Sequence, residues 1–152
     1  MGAFSDTVAK AVADFMAKAQ AMPAAVVEEA SDRILARSIV GDPSLWKRPA
    51  PKDYRPGTFK SNWRLGVDQI DTTTTEEKNS FILHGRDRMP ERPFGHRFFI
   101  SNSLPYAWPL ETGHSTQGRG MVGLTALEFD AILKVAADRV SAVTAPNRSV
   151  IA

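Results

Sequence analysis

The residues best suited to acid–base work or metal ligation are three histidines, His84, His96 and His114. Their spacings of 12 and 18 residues match no compact metal motif. Glu111 and His114 form Glu-x-x-His, a ligand spacing that di-iron bundles use on helices, but Pro109 and Gly113 bracket the pair and spoil helical geometry. Gly113-His114-Ser115 is not a Gly-x-Ser-x-Gly nucleophile elbow, and neither a Walker loop nor Gly-x-Gly-x-x-Gly occurs. Gly118-Arg119-Gly120 is too short to carry meaning alone. The carboxylate pairs Glu28/Glu29 and Glu76/Glu77 lie in polar contexts. The chain has no cysteine, which removes thiol nucleophiles, Cys-ligated zinc, iron–sulfur clusters and disulfides, and fits a reducing compartment. No catalytic, cofactor or metal site is assigned, and a protein that is not an enzyme is expected.

The elements that would position these side chains follow from periodicity. Phe4, Val8, Val12, Phe15, Ala19, Met22, Val26, Ala30 and Ile34 recur at steps of three and four, one apolar stripe on a helix over residues 1–40. Ser5 and Asp6 are candidate caps, Pro23 should kink or split the helix near Met22, and Gly41-Asp42-Pro43 should stop it. The stripe reads as core packing against a sheet. A helix of this length, roughly 50 Å, also overhangs a domain of this size, so part of it is expected on a neighbouring subunit.

Residues 42–58 read as an extended loop carrying Trp46 and Tyr54, which pin it either to its own domain or to a partner. Alternation over 59–70 predicts a half-buried strand, and Ser80–Leu83 a second. Thr72–Thr75 is either a strand edge or an exposed turn. Residues 84–97 form a basic loop with Arg86, Arg88, Arg92 and Arg97, and 97–102 another strand. Pro105, Pro109, Gly113, Gly118 and Gly120 argue against a regular helix over 104–120, with Tyr106, Trp108 and Leu110 alternating onto one sheet face. Glu111 is a turn-stabilising acceptor: a local cap, a salt bridge with a basic-loop arginine, or an inter-subunit contact. Helical period resumes over 121–142 through Val122, Leu124, Leu127, Ile132, Val135 and Val140, and 143–152 is a tail. The expected class is α+β in a single domain over 1–152, with a long N-terminal helix, a small antiparallel β-sheet with long loops, and a C-terminal helix.

With 152 residues, 43% hydrophobic and 24% charged, the composition excludes wholesale disorder and low-complexity classes. A compact monomer of this mass exposes about 7,600 Å². The net charge of +2 divides into −1 over 1–40, +3 over 41–120 and 0 over 121–152, a weak signal for duplex binding. No run of 18 apolar residues suggests a membrane span, and no secretory leader or myristoylation pattern opens the chain. A soluble protein made in the cytoplasm is the expectation.

Two segments taken together are more specific. The first is Gly57-Thr58-Phe59-Lys60-Ser61-Asn62-Trp63-Arg64. The second is Ile100-Ser101-Asn102-Ser103-Leu104-Pro105-Tyr106-Ala107-Trp108-Pro109-Leu110-Glu111-Thr112-Gly113-His114-Ser115, followed by Gly120-Met121-Val122. In this order, between a long N-terminal and a C-terminal helix, they resemble the small neck or tail-completion (head–tail joining) proteins of tailed bacteriophages. The similarity spans roughly residues 5–142. Lys52-Asp53-Tyr54-Arg55-Pro56-Gly57 stands where that family often has Pro-Val-Asp-Thr-Gly.

The resemblance implies a structural virion protein without cofactor. It would assemble as a ring with other copies of itself, and contact connector or head-completion and tail-tube proteins and, non-specifically, DNA in the channel. Contact candidates are Trp46, Tyr54, Arg86, Arg88, Arg92, Tyr106, Trp108, Glu111, His114 and Arg119. A tail-terminator ring capping the tube is the alternative within this class. A nucleic-acid-binding module using Arg86, Arg88, Arg92, Arg97, Lys47, Arg48 and Lys52 is the alternative outside it, although Asp87 and Glu91 interrupt the cluster.

Overall fold

The alanine-rich segment Ala3–Arg37 forms one uninterrupted 35-residue helix, α1, in a computed structural model that describes residues 2–38, 42–114 and 120–144. It starts one residue after Gly2 without a side-chain cap, so Ser5 and Asp6 sit inside the first turn instead of capping it. Asp6 there favours the positive end of the helix dipole. Asp6, Lys10, Asp14 and Lys18 follow one another at steps of four with alternating sign. At 100° per residue Asp6 and Lys10 lie opposite Phe4, Val8, Val12 and Phe15, while Asp14 and Lys18 drift towards the flank of that stripe. Pro23 does not split the helix.

The stripe along α1 is core only in its second half. Val27, Ile34 and Leu35 are buried, whereas Phe4 is 84% and Phe15 69% exposed, and Val8, Val12 and Met16 are exposed with them. The expectation of core packing along the whole stripe is corrected by length: the elements packed on α1 are α3 (Met121–Leu127) and α4 (Phe129–Thr144), which are far shorter. Sequence periodicity predicts a single C-terminal helix. The chain instead turns out of helical geometry at Glu128, whose N–H donates to the Thr125 carbonyl three residues back (3.1 Å), and resumes as α4. Ile132, Ala136 and Val140 are buried, but Leu124 and Leu127 are exposed. Residues 145–152, within the expected tail, lie outside the described residues.

Strand β1 (Arg64–Val67) pairs antiparallel with β2 (Phe98–Ser101), Arg64 opposite Ser101 and Val67 opposite Phe98. The fold is α+β, with β2 falling within the strand expected over 97–102. The strand expected over 59–70 shrinks to β1. Residues 58–62 form successive tight turns, in which the Ser61 and Asn62 N–H groups donate to the Thr58 and Phe59 carbonyls (both 3.1 Å). Phe59, Ser61, Trp63 and Leu65 are buried as alternation has them, but Asn62 between them is buried too and these turn bonds keep the segment from extending. Ser80–Leu83 forms no strand. Only the next residue, His84, makes a single bridge to Arg64, while Phe81 and Ile82 stay exposed. No described helix is long and apolar enough to cross a membrane.

Residues Ala107–Glu111 form a short helix, α2, against expectation. Pro109 is its third residue, in the first turn, where the missing N–H has no intrahelical partner to lose. Tyr106 and Leu110 are therefore four apart on one face and buried, while Trp108 points away, 74% exposed.

Asn62, fully buried, holds the loops together. Its Nδ2 donates to the carbonyls of Thr58 (2.7 Å) and Thr75 (3.0 Å), and its Oδ1 accepts from the Thr75 N–H (2.8 Å). The threonine run forms no strand: Thr72, Thr73 and Thr74 are exposed, and Thr75 is the one tied to Asn62. Gly57 adopts φ +87, and a Cβ there would lie 2.8 Å from the Asn79 side-chain oxygen, so the turn entering this hub requires glycine. Replacing Asn62→Ala removes three hydrogen bonds and is expected to lower the unfolding free energy by about 2–3 kcal/mol in urea titration. The same titration on Ile82→Ser, an exposed site, should move it by less than about 0.5 kcal/mol.

Candidate functional site

The loop aromatics are spent within the chain. Trp46 meets Tyr54 edge-to-face at 5.0 Å between centroids, and Tyr54 meets Tyr106 in the same way, also at 5.0 Å. Tyr54 and Tyr106 are buried, and burial pushes the Tyr54 phenol above its ordinary value. Of the two readings of this loop, pinning to its own domain is the one the geometry realises for Tyr54. Thr58 Oγ1 and Tyr106 Oη lie 2.5 Å apart, and Asn102 Nδ2 donates to the Phe59 carbonyl (2.8 Å). The two sequence segments that carry the family resemblance therefore pack directly on each other.

The basic loop is also largely committed. Arg86 pairs with Glu28 on α1 (3.3 Å), and Arg88 with the buried Asp71 (2.6 Å). The Thr73 hydroxyl (2.6 Å) and N–H (2.9 Å) also donate to Asp71. These donors, with Arg88, hold the Asp71 carboxyl at about 2, below its ordinary 3.8. Arg92 is exposed and makes no ion pair among the described residues.

Glu111, at the end of α2, and the three histidines do structural work. Both Glu111 carboxylate oxygens accept from the first turn of α3: Oε2 from Val122 N–H (3.1 Å) and Oε1 from Gly123 N–H (2.9 Å). Of the readings for Glu111, the local cap is therefore present. The His114 ring lies 3.0 Å from both the Thr112 hydroxyl and the Pro109 carbonyl, and its own carbonyl accepts from Lys47 N–H (2.7 Å), closing the 42–58 loop. His96 pairs with Asp68 (2.7 Å), and His84 lies 3.4 Å from Glu77. Among the described residues no three His, Asp or Glu side chains gather as a ligand set. Arg119 lies outside the described residues.

What the chain leaves unfilled is apolar. An open groove of about 740 Å³ runs between α1, β2 and the α3–α4 pair, walled by Met22, Val26, Phe98, Ile100, Phe129 and Leu133. A second groove of about 640 Å³ shares Ile100 and Val122 with it and is flanked by the exposed Trp108. Trp108 is thus a candidate contact residue that faces outward beside an apolar recess. Phe94 and Phe129, both half-exposed or more on the larger groove, were not legible as surface residues. Phe94 alone had a signal: an aromatic between Pro93 and Gly95, with no periodic apolar neighbour to pack beside it.

Compared with family models, curated proteins and solved structures, the chain matches none.

Two measurements follow from the polar contacts. Because the folded Asp71 binds its proton more weakly than the unfolded, its contribution is complete above pH about 4 and is lost as the pH falls towards 2. Asp71→Asn should cost about 2 kcal/mol at pH 7 and progressively less in urea titrations below pH 4. Glu111→Ala should cost about 1 kcal/mol through loss of the α3 cap, read from the same titrations at pH 7.

Proposed function

We propose that this chain is a structural protein of a tailed-phage particle, acting in the neck at the head–tail junction as a subunit of a ring. The motif resemblance at Gly57–Arg64 and Ile100–Ser115 points to the family. The observation that carries the reading is the N-terminal half of α1, which presents Phe4, Val8, Val12 and Phe15 to solvent with no covering element among the described residues. The chain exposes 10060 Å², against about 7,600 Å² for a compact monomer of its mass. A surplus of that size, part of it a continuous apolar stripe, suits a subunit that buries surface on its neighbours. A DNA-binding role is less favoured because Arg86 and Arg88 are already paired with Glu28 and Asp71.

Negative-stain microscopy of particles made without this gene tests the reading. Filled heads beside unattached tails of normal length are the expected result. Overlong tails would move the chain to the terminator ring, and normal infectious particles would overturn the structural role altogether.

A further inference from the structure

We propose that the larger apolar groove receives the Ala3–Lys18 half of α1 from a second copy of the chain. The inference deepens the ring reading and rests on it for closure of the ring; the contact itself stands on geometry.

Groove and helix are two parts of one apolar line. Phe4, Val8, Val12 and Phe15 continue directly into Ala19, Met22 and Val26, which wall the groove. The same helix cannot serve its own groove. Its second half is the wall, and an uninterrupted helix carries its first half away along the axis. A second copy offers an identical projecting half, about 24 Å long, with apolar residues at the i, i+4, i+8, i+11 spacing by which amphipathic helices lie in grooves.

The areas are consistent with such a contact. Two largely exposed phenylalanines and three half-exposed aliphatic residues present on the order of 500 Å² of apolar surface. Counting both sides gives roughly 1,000 Å² per contact, at the threshold of a specific interface. Each copy takes part twice, once through its helix and once through its groove, and the surplus exposed surface accommodates both. A contact between two different patches is heterologous, so it propagates from copy to copy and makes a ring where the rotation closes. The helix half carries Asp6, Lys10, Asp14 and Lys18, two of each sign and off the apolar stripe, so the contact should vary little with salt.

The cysteine-free chain makes the test direct. Chains carrying only Val12→Cys are mixed with chains carrying only Ala126→Cys, an exposed groove residue, and treated with a short bismaleimide. The mixed dimer should form at least about tenfold faster than with Lys10→Cys, which lies on the opposite face of α1. In sedimentation velocity the wild-type chain should associate with concentration, less than about twofold differently between 50 and 500 mM salt. Phe15→Asp should weaken that association by about tenfold or more with its thermal midpoint unchanged, since Phe15 is exposed. Equal cross-linking from positions 12 and 10, unaltered association of the Phe15 variant, or a wild-type monomer up to about 0.5 mM would each overturn the proposal. In the last case the groove belongs to a helix of another protein. Failure here leaves the microscopy of gene-deleted particles to decide the ring reading, and normal particles there leave the solution contact to stand or fall by cross-linking.

Discussion

Asn62 has no exposed surface, so its amide must find partners inside the protein or carry a buried penalty. It finds them on both sides of the chain, at Thr58 just before it and at Thr75 far after it. That one side chain ties a long, strand-poor loop to the turn leading into β1. Around it the same economy repeats: Ser61 accepts from Ser80 N–H, Asn102 reaches Phe59, and Trp63 Nε1 donates to Ser38 Oγ at the end of α1 (2.8 Å). Two short strands are too little to stand alone, and it is this buried polar turn, with Phe59, Trp63 and Leu65 beside it, that gives the helices something to cover.

The helices are fastened at one end only. Glu128, at the break between α3 and α4, accepts from both Arg33 (2.7 Å) and Arg37 of α1, while Glu29 pairs with Arg33 (2.8 Å) and with Arg139 of α4 (2.9 Å). Arg37 also donates to the Thr125 hydroxyl (2.7 Å). These contacts all fall between residues 29 and 37 of α1. Nothing comparable grips residues 3–18, which are all exposed. The molecule therefore joins a rigid, well-anchored half to a projecting one, and the groove opens where the two meet. For a subunit of an assembly this is a useful division, because the anchored half fixes the direction in which the projecting half is presented.

Much of this was legible from residue order. The long helix, the C-terminal helical period, β2, the basic loop and the α+β class followed from periodicity and from the positions of proline and glycine. The misreadings share a cause. Phe59–Trp63 alternates like a strand but closes into tight turns, and Ser80–Leu83 has strand-like composition without a paired strand. Pro109 argues by its type against a helix, yet it falls in the first turn of α2, where a missing N–H costs nothing. Tyr106, a contact candidate on the family resemblance, meets Tyr54 edge-to-face inside, which realises the own-domain reading of the Tyr54 loop.

By itself the sequence determined the local matters: that the two ends of the chain are helical, where apolar residues line up, and that the charges along the start of α1 balance. Those properties depend on neighbours within a turn or two. Only the tertiary structure decided which part of each apolar line is covered, because cover depends on the length and position of the opposing elements. The stripe on α1 is chemically alike from Phe4 to Ile34, but α3 and α4 end before its first half begins. The groove, likewise, exists only because three distant segments stop short of filling the space between them.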